Sequence, residues 1–505
     1  MDDRAEVRKG HAVCVVETSK ASVEIEAEGD GTLFQLVPAG VEVELGTCIA
    51  LVAQGDGELA AAEARQQAEI PEEPGQPALR NVTRKAAELA ARHGVDLEQI
   101  DKAGFITADD VEAIVAGNTE EQPAGDPMFA GLSIENVTLP AVFSLGADVG
   151  VLDPEFLATL QADPAAFGAL ASEEKVEAYR RAGARVGEGV RLGNGTVVVA
   201  PRIVLEDGVS IGDGGSVRCD EVFALGELAA FGPRLEVACR RAFVGAGLWA
   251  GREIRIGGGG HRDPWATFVI GEQGFIGDAA FINVGRPVLI GREAFVTMRS
   301  VLVTHNIGHS PLEGFENRFA GIVLEDRVQV GIGAVVYAGC RIGRESIVAS
   351  NSYVVADISA GSLAVGVPAR VAGASSRPLS RPRQVAAAQR IVDDLAELLG
   401  LRGIETEPLE LADAHGIALT SPDGPARVIF VERNEPGSVA AGEGETVVLT
   451  LAAAAEPPEG CAVLDLLARR VQGEGGVVLE SVRELCRRRG IRFEPGPWRY
   501  RGGLV

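Results

Sequence analysis

Residues 290–359 decide the fold, because a period of six residues runs through most of this stretch. It reads IGREAF-VTMRSV-LVTHNI at 290–307, LEDRVQ-VGIGAV-VYAGCR at 324–341 and IGRESI-VASNSY-VVADIS at 342–359. An aliphatic residue opens each group of six, and glycine or another small residue often follows it. Three such groups form one triangular coil whose aliphatic side chains point inward. The period therefore predicts a β-solenoid in which successive coils bury one another.

The same period extends towards the N-terminus, with LEDGVS-IGDGGS at 205–216 and IGEQGF-IGDAAF-INVGRP at 270–287. We therefore predict a solenoid over residues 184–373, with an irregular Gly-rich β-sandwich as the alternative. Residues 308–323 (GHSPLEGFENRFAGIV) break the period, so we expect them to leave the solenoid as a loop. Functional residues often lie on such insertions over a rigid scaffold.

Composition agrees with a multidomain protein built on repeated tight turns. The chain has 505 residues, of which 64 are glycine, and only 5% are aromatic. A formal net charge of −25 argues against binding to nucleic acid or to an anionic membrane. The seven cysteines form no CxxC pair, which favours reduced thiols and a cytoplasmic protein. We expect neither a signal peptide nor a transmembrane helix.

The region before the solenoid changes composition several times. Residues 1–55 alternate apolar and polar positions, as half-buried strands do. Residues 56–77 and 118–140 are typical of linkers, and helical patterns fill the segment 78–117 between them. Residues 141–183 are expected to form a helical lead-in to the solenoid. The pattern therefore predicts two small domains joined to the solenoid by linkers.

The tail, residues 380–505, has yet another pattern. An amphipathic helix is expected over 384–400, followed by strand-like VIFV and TVVLTL segments. Further helices are expected near 462–472 and 478–489. The tail is therefore predicted to be a small α/β domain, and no chemical motif indicates its role.

The sequence ETSKA at 17–21 lies between two alternating runs, so we expect Lys20 at the tip of a hairpin. Residues 1–55 resemble the lipoyl domain of 2-oxo-acid dehydrogenase complexes. The resemblance implies that Lys20 receives lipoate and forms a swinging arm for acyl groups. Ser19 replaces the Asp of the family's turn. The family's first two or three strands precede the segment matching Val7–Val13, so we expect an upstream start or a reduced domain.

Residues 78–117 resemble the peripheral subunit-binding domain that follows lipoyl domains in the same complexes. The matching stretch is LAARHGVDLEQI followed by FITADDVEAI. The resemblance implies 2-oxo-acid dehydrogenase-type components or dihydrolipoyl dehydrogenase as partners. The family's Gly-rich loop is shortened here to 101–105 and lacks its Arg. A two-helix spacer is the alternative.

The solenoid resembles the left-handed β-helix of hexapeptide-repeat acyltransferases, above all the sugar O-acetyltransferase branch. The match rests on VTH at 303–305, the interruption after it, the LEDRVQVGIGAVVYAGCRIG run and the closing GVPAR at 366–370. The resemblance implies an enzyme that moves an acyl group from a thioester, such as acetyl-CoA, to a hydroxyl or amine of a small, sugar-like acceptor. It also implies a homotrimer with donor sites between subunits.

These resemblances complete the predicted fold class. We expect a multidomain, mainly β protein with a left-handed parallel β-helix core. A partial lipoyl-type β-barrel and a small helical domain precede this core, and a small α/β domain follows it.

The resemblance assigns the catalytic base to His305. An acceptor hydroxyl is a poor nucleophile near neutral pH, and an imidazole can take its proton during attack on the thioester carbonyl. The oxyanion that forms needs preorganised donors, and backbone N–H groups suffice. The resemblance places these donors at Gly331 and Ile332.

Four further polar residues are candidate contacts for substrates. His309, in the interruption, is a candidate second base or acceptor contact. Asp278 and Asn283, one coil before His305, are candidates for binding an acceptor hydroxyl, and Arg370 for approaching the donor's phosphates. The alternative for each is a solvated polar residue on a coil face.

Two other classes of function remain as alternatives. A metal hydratase similar to the gamma-class carbonic anhydrases would use three histidines on zinc. His261, His305 and His309 are spaced by 44 and 4 residues, which fits poorly, so we predict no metal. A non-catalytic trimeric scaffold would instead display lipoyl arms for a 2-oxo-acid dehydrogenase-like complex. The His-x-x-x-Asp-Gly motif of the acyltransferases of those complexes is absent from the sequence.

Overall fold

The computed structural model describes the following residues: 4–17, 22–27, 29–37, 48–54, 58, 86, 107, 127–129, 132–315, 317–409, 414–432, 442–452, 457, 459–494 and 504. The chain divides into two units, Met1–Pro123 and Ala124–Val505. Lys20 lies outside the described residues, and so does nearly all of the segment 78–117 that resembles a subunit-binding domain.

The first unit holds short antiparallel strands. They are β1 (Glu6–Val7), β2 (Ala12–Glu17), β3 (Ser22–Glu26), β4 (Gly31–Gln35) and β5 (Ala50–Ala53). Strand β4 pairs with both β1 and β5, and β2 pairs with β3 as a hairpin. Val7, Val13, Ala27 and Leu33 form the small core of this unit. The predicted strands of the N-terminal domain are therefore present.

Three helices lead into the solenoid: α1 (Pro154–Ala162), α2 (Pro164–Gly168) and α3 (Ser172–Arg181). Asp153 caps α1 by accepting hydrogen bonds from two backbone N–H groups of its first turn. The buried Tyr179 of α3 donates its hydroxyl to Val198 O at 2.7 Å. The helices therefore pack on the first coil and cover its apolar interior.

The solenoid is built from short strands. In chain order they are β6 (Arg185–Val186), β7 (Arg191–Leu192), β8 (Val197–Val199), β9 (Arg202–Leu205), β10 (Ser210–Ile211), β11 (Ser216–Leu225), β12 (Ala230–Phe231), β13 (Glu236–Val244), β14 (Trp249–Ala250), β15 (Arg255–Gly257), β16 (Thr267–Ile270), β17 (Phe275–Ile276), β18 (Phe281–Asn283), β19 (Val288–Ile290), β20 (Phe295–Val296), β21 (Val301–Leu302), β22 (His305–Asn306), β23 (Arg318–Phe319), β24 (Ile322–Leu324), β25 (Gln329–Val330), β26 (Val335–Val336), β27 (Arg341–Ile342), β28 (Ile347–Val348), β29 (Tyr353–Val354), β30 (Ser362–Gly366) and β31 (Ala369–Ala374).

Successive coils stack in parallel and in register. Strand β20 pairs with β25, β21 with β26 and β19 with β24, all in parallel. The aliphatic residue that opens each group of six is fully buried, as Val296, Leu302, Val330 and Val336 show. Burying each such side chain stabilises the fold by about 1.5–3 kcal/mol before entropy is counted. The predicted mainly β architecture with a β-solenoid core is therefore confirmed.

One face of the solenoid is covered by the segment that precedes α1. Arg341 Nη1 donates to Ser133 O at 2.9 Å, and Thr138 N donates to Asp326 Oδ1 at 2.9 Å. Val137 is buried in an apolar cluster with solenoid residues such as Val269 and Leu289. Residues 132–140 therefore lie on the solenoid, although the sequence predicts a linker there, because their apolar residues find an apolar face.

Most of the interruption at 308–323 leaves the solenoid, as the broken period predicts, but Ile322 and Val323 at its end already belong to solenoid strand β24. It is a hairpin rather than an open loop, because β22 pairs with β23 in antiparallel register. A short 3₁₀ turn at Pro311–Glu313 lies between the two strands.

The tail forms an α/β domain. Its elements are α4 (Arg381–Leu401), β32 (Thr406–Leu409), β33 (His415–Ser421), β34 (Gly424–Val431), β35 (Glu445–Thr450), β36 (Cys461–Asp465), β37 (Arg470–Gln472) and α5 (Val477–Arg488). The strands form one sheet in chain order, in which β34, β35 and β36 run parallel. Both helices contribute to one apolar cluster with the sheet.

The prediction of a helix near 462–472 is wrong, because this segment contains β36 and β37. All five residues of β36 are buried, and its first four form a continuous apolar run instead of an alternating pattern. Such a run does not separate a buried strand from a helix. Asp465 Oδ1 then accepts from Leu467 N at 2.9 Å and Ala468 N at 2.7 Å, which starts the turn.

The tail domain packs on the solenoid through charged and aromatic groups. Glu293, which is 5% exposed, forms ion pairs with Arg469 of the tail and with Arg292. The Arg492 guanidinium carbon lies 4.8 Å from the centre of the Phe295 ring. Among the described residues, no helix is both long enough and apolar enough to cross a membrane.

Candidate active site

His305 lies where the third side of a coil gives way to the hairpin. It opens β22, and its backbone is held because Asn306 and His305 pair with Arg318 and Phe319. The side chain is half-buried, and its Nδ1 lies 2.9 Å from Asn283 Oδ1. The structure thus brings together two of the residues that the sequence singles out.

Asn283 fixes which nitrogen of His305 carries the proton. Its Nδ2 donates to Gly257 O and to Gly259 O, both at 3.1 Å, so the orientation of the amide is set by two carbonyl acceptors. Asn283 Oδ1 is therefore an acceptor, and His305 Nδ1 must carry a hydrogen to donate to it. The neutral imidazole then has its lone pair on Nε2, where a base needs it.

Thr304, the residue before His305, also helps to hold Asn283 in this orientation. Its buried hydroxyl donates to Asn283 Oδ1 in a close contact and accepts from Arg286 N at 3.2 Å. Asn283 is only 2% exposed, and both ends of its amide are engaged. Its position therefore favours a role in orienting His305 over the acceptor contact that the sequence suggests.

Two glycines make room for the imidazole. A Cβ on Gly259 would lie 3.2 Å from His305 Nε2, and one on Gly285 would lie 3.2 Å from Nδ1. Both distances are tighter than ordinary carbon–nitrogen contacts. The absence of a side chain at Gly259 therefore leaves the Nε2 edge of the ring accessible.

Replacing Gly259 by alanine is expected to lower, by about 10–100-fold, any turnover in which His305 Nε2 is the base, because the new methyl group crowds Nε2 and displaces the reacting geometry. The backbone of Gly259 is not left-handed, so the change should leave the melting temperature nearly unaltered. Gly308→Ala is the control, since a Cβ there meets nothing within 4 Å. Equal turnover of the two variants would show that the Nε2 edge is not used.

A second insertion, which the sequence analysis missed, lies beside His305. Residues 258–266 leave the solenoid between β15 and β16 and bring Asp263 and Trp265 to the site. The guanidinium carbon of Arg286 lies 4.3 Å from the ring centre of Trp265 and 5.0 Å from that of Phe319. The signal in the sequence is the GGGG run at 257–260, which breaks the period.

The expected oxyanion donors lie at another corner of the coil. Gly331 and Ile332 follow β25, whereas His305 follows β21, and β21 pairs with β26. The two positions thus lie at opposite ends of one side, roughly 20 Å apart at 3.3 Å per residue. The Gly331 N–H donates to Val348 O at 2.8 Å, while the Ile332 N–H has no partner among the described residues. Of the two, Ile332 keeps a donor available.

The remaining candidate contacts are placed as follows. Asp278 Oδ1 accepts from Arg252 N at 3.0 Å, and Oδ2 from Arg252 Nε at 3.2 Å, so this carboxylate holds the corner of the preceding coil. The exposed His309 packs its ring on Phe315 with centres 4.5 Å apart. Arg370 is exposed in β31 and donates to Ala369 O at 2.9 Å. None of these contacts joins the group around His305.

In the described part of the chain, neither His261 nor the cysteines form a second candidate site, such as a metal site or a reactive thiol. His261 Nδ1 lies 3.0 Å from Gly258 O, and the described residues contain no group of His, Cys, Asp and Glu that could hold a metal ion. All seven cysteines are free. Burial raises the pKa of Cys340 to about 11 and that of Cys486 to about 12, so neither is a thiolate at neutral pH.

Comparison with known proteins gives matches in two separate parts of the chain. The biotin/lipoyl family, described as "Biotin-requiring enzyme", matches residues 3–52. A 2,3,4,5-tetrahydropyridine-2,6-dicarboxylate N-acetyltransferase of Staphylococcus aureus strain Newman is 34% identical over 73 residues. That alignment covers 14% of this chain and 30% of the relative. The chain thus spans under a third of the length of the curated relatives it matches. Its N-terminal part carries a biotin/lipoyl-type domain.

Solved structures of low sequence identity align with about two fifths of the chain. The polySia-specific acetyltransferase NeuO is 15% identical, covers 42% of this chain and 95% of its own, and has a TM-score of 0.25. The N-acyltransferase AntD from Bacillus cereus, in complex with dTDP and 3-hydroxybutyryl-CoA, is 14% identical, covers 45% and 98%, and has a TM-score of 0.24.

Proposed function

We propose that the chain is a hexapeptide-repeat acyltransferase that moves an acyl group, an acetyl group in the first instance, from a thioester to a hydroxyl or amine of a small acceptor. The observation that carries the proposal is the hydrogen bond from His305 Nδ1 to Asn283 Oδ1, which leaves Nε2 as the base. The acetyltransferase name of the curated relatives supports it. The free thiols support a reducing, cytoplasmic location.

The reaction follows from the tautomer of His305. Nε2 takes the proton as the acceptor oxygen or nitrogen attacks the thioester carbonyl, and the electron pair of the C=O bond moves to the oxygen. Asn283 Oδ1 accepts the Nδ1–H bond throughout and so stabilises the imidazolium that forms. Collapse of the tetrahedral oxyanion breaks the C–S bond. The departing thiolate takes the proton back from Nε2, which restores the neutral imidazole.

We propose that a second copy of the chain completes the site. Within one chain the Ile332 N–H lies a full side of the coil away from His305, so it serves the oxyanion only if a neighbour presents it. A homotrimer achieves this with three equivalent sites. Light scattering of the full chain is then expected to give about three times the monomer mass of 52.6 kDa. A fully active monomer would contradict the shared site.

The test of the proposed function is acyl transfer itself. The full chain is incubated with acetyl-CoA and a panel of small hydroxyl and amine acceptors, and the products are identified by mass spectrometry. We expect acceptor-dependent release of free thiol together with an acetylated product. Thiol release that never depends on an acceptor would favour the non-catalytic scaffold.

We propose a second donor, an acyl group carried by lipoate on Lys20. Glu17 and Ser22 are the last paired residues of the β2–β3 hairpin, so the four residues that connect these strands include Lys20. The biotin/lipoyl match over residues 3–52 supports the same assignment. A dithiol at this position would hold an acyl group as a thioester. A 2-oxo-acid dehydrogenase-type component would load it, and dihydrolipoyl dehydrogenase is the matching candidate partner.

Modification of Lys20 is testable by intact mass. Full chain produced with a lipoate ligase and lipoate is expected to gain the mass of one lipoyl group, and Lys20→Arg should abolish the gain. Lys9→Arg is the control, because Lys9 is an exposed lysine of the same domain. An unmodified wild-type chain would leave acyl-CoA as the sole proposed donor.

A further inference from the structure

We infer that the acceptor carries an oxyanion, a carboxylate or a phosphate, and that the Nε–Nη2 edge of Arg286 binds it beside His305. This inference rests on the proposed function and names the class of acceptor. It makes Arg286 a specificity-determining residue, in a position that the sequence analysis did not single out.

The Arg286 guanidinium lies over two aromatic rings. Its central carbon lies 4.3 Å from the ring centre of Trp265, which belongs to the insertion at 258–266. The same carbon lies 5.0 Å from the ring centre of Phe319, which belongs to the hairpin. The Arg286 side chain is 20% exposed. These two contacts restrict the Arg286 side chain before any ligand arrives, so less rotamer entropy is lost on binding.

The hydrogen bonds of Arg286 use one nitrogen and leave an edge open. Nη1 donates to Gly285 O at 2.7 Å and to Asp263 Oδ2 at 3.2 Å. Nε and Nη2 have no partner among the residues that the structure describes. These two nitrogens form the fork that matches two oxygens of a carboxylate or phosphate. The two hydrogen bonds of Nη1 already anchor the side chain. The Nε–Nη2 edge is therefore not needed to hold Arg286 in place.

The open edge belongs to the same group of side chains as the base. The Phe319 ring that contacts Arg286 also stacks on His305, with ring centres 5.8 Å apart and planes 16° apart. Arg286 N donates to the hydroxyl of Thr304, the residue before His305. An acceptor anchored by its oxyanion on Arg286 would therefore extend along Phe319 towards Nε2.

The first test is binding, and it does not need turnover. The chain has three tryptophans, so Trp249→Phe with Trp498→Phe leaves Trp265 as the only one. Malonate and inorganic phosphate are titrated at constant ionic strength, with chloride as the screening control. We expect a saturable change in Trp265 emission with at least one of them, and the stronger ligand identifies the oxyanion.

Arg286→Gln in that background is expected to weaken oxyanion binding by about 10–100-fold, the loss of a charge-assisted hydrogen bond. Arg252→Gln is the matched control, because Arg252 is an arginine paired with Asp278 at another corner. An emission change that saturates equally in the Arg286→Gln variant overturns the inference, and so does the absence of any saturable change.

The second test is transfer, with glucosamine, glucosamine 6-phosphate and glucosaminuronate as probes. Arg286→Gln is expected to raise KM about 10–100-fold for the preferred charged probe and to leave the KM of glucosamine unchanged. Transfer without preference for a charged probe overturns the inference and leaves the proposed function standing. Oxyanion binding with no transfer to any acceptor overturns the proposed function instead.

Discussion

Replacing His305 by alanine is expected to lower the rate of acyl transfer by about 10²–10⁴-fold, the contribution typical of a positioned general base. The loss should lie in kcat, because in the proposed mechanism Nε2 acts on the acceptor proton during attack and not on the bound donor. Among the residues that the structure describes, the half-buried ring makes one hydrogen bond and one stacking contact, so the melting temperature should fall by only a few degrees. Steady-state kinetics with acetyl-CoA, together with thermal unfolding, measure both quantities.

His309→Ala is the matched control for this prediction. His309 is an exposed histidine on the hairpin, and its ring packs only on Phe315 among the described residues. Its loss should leave kcat within a few-fold of wild type and at most raise the KM of the acceptor. A His305→Ala enzyme with near-wild-type turnover, alongside an inactive His309→Ala or His261→Ala variant, would contradict the assignment of the base.

The solenoid was predictable from the sequence because its determinants are local. One aliphatic residue in six, as at Val296 and Leu302, fills the interior of each coil, and any sequence with that period buries the same stripe. The break at 308–323 was equally visible, since no aliphatic residue falls at the required spacing. His305 stood out as a histidine at the edge of that break.

The partners of His305 were not predictable, because they depend on the register between coils. Asn283 meets His305 across 22 residues of chain, and Arg286 meets Phe319 across the whole hairpin. The lengths of the coils and of the insertions determine which side chains come into contact, and both lengths vary along this chain. The sequence therefore presented Asn283 as a candidate contact for an acceptor hydroxyl on a coil face, whereas the structure shows its amide bonded to two backbone carbonyls and the imidazole.

Asn283→Ala is expected to lower kcat by about 10²-fold, because His305 is then no longer held in the tautomer that frees Nε2. The variant also deprives the buried Thr304 hydroxyl of its acceptor and the Gly259 carbonyl of this donor, whereas the Gly257 carbonyl still accepts from Val284 N at 3.2 Å. A buried polar group that loses its partner costs about 1–3 kcal/mol, so the melting temperature should fall as well. Turnover must therefore be measured well below the new transition. Asn306→Ala, which removes an exposed amide one residue after His305, is the control and should change neither quantity.

A pH profile separates orientation of His305 from simple support of the fold. In Asn283→Asp a carboxylate faces Nδ1–H, and the nearby negative charge favours the protonated imidazole. The base must be neutral to act, so the rise of kcat with pH should move to higher pH than in the wild type. A residue that only supported the fold would lower kcat and the melting temperature without moving that rise. If the profile of the Asp variant coincides with that of the wild type, Asn283 does not set the protonation of His305, and the tautomer argument fails with it.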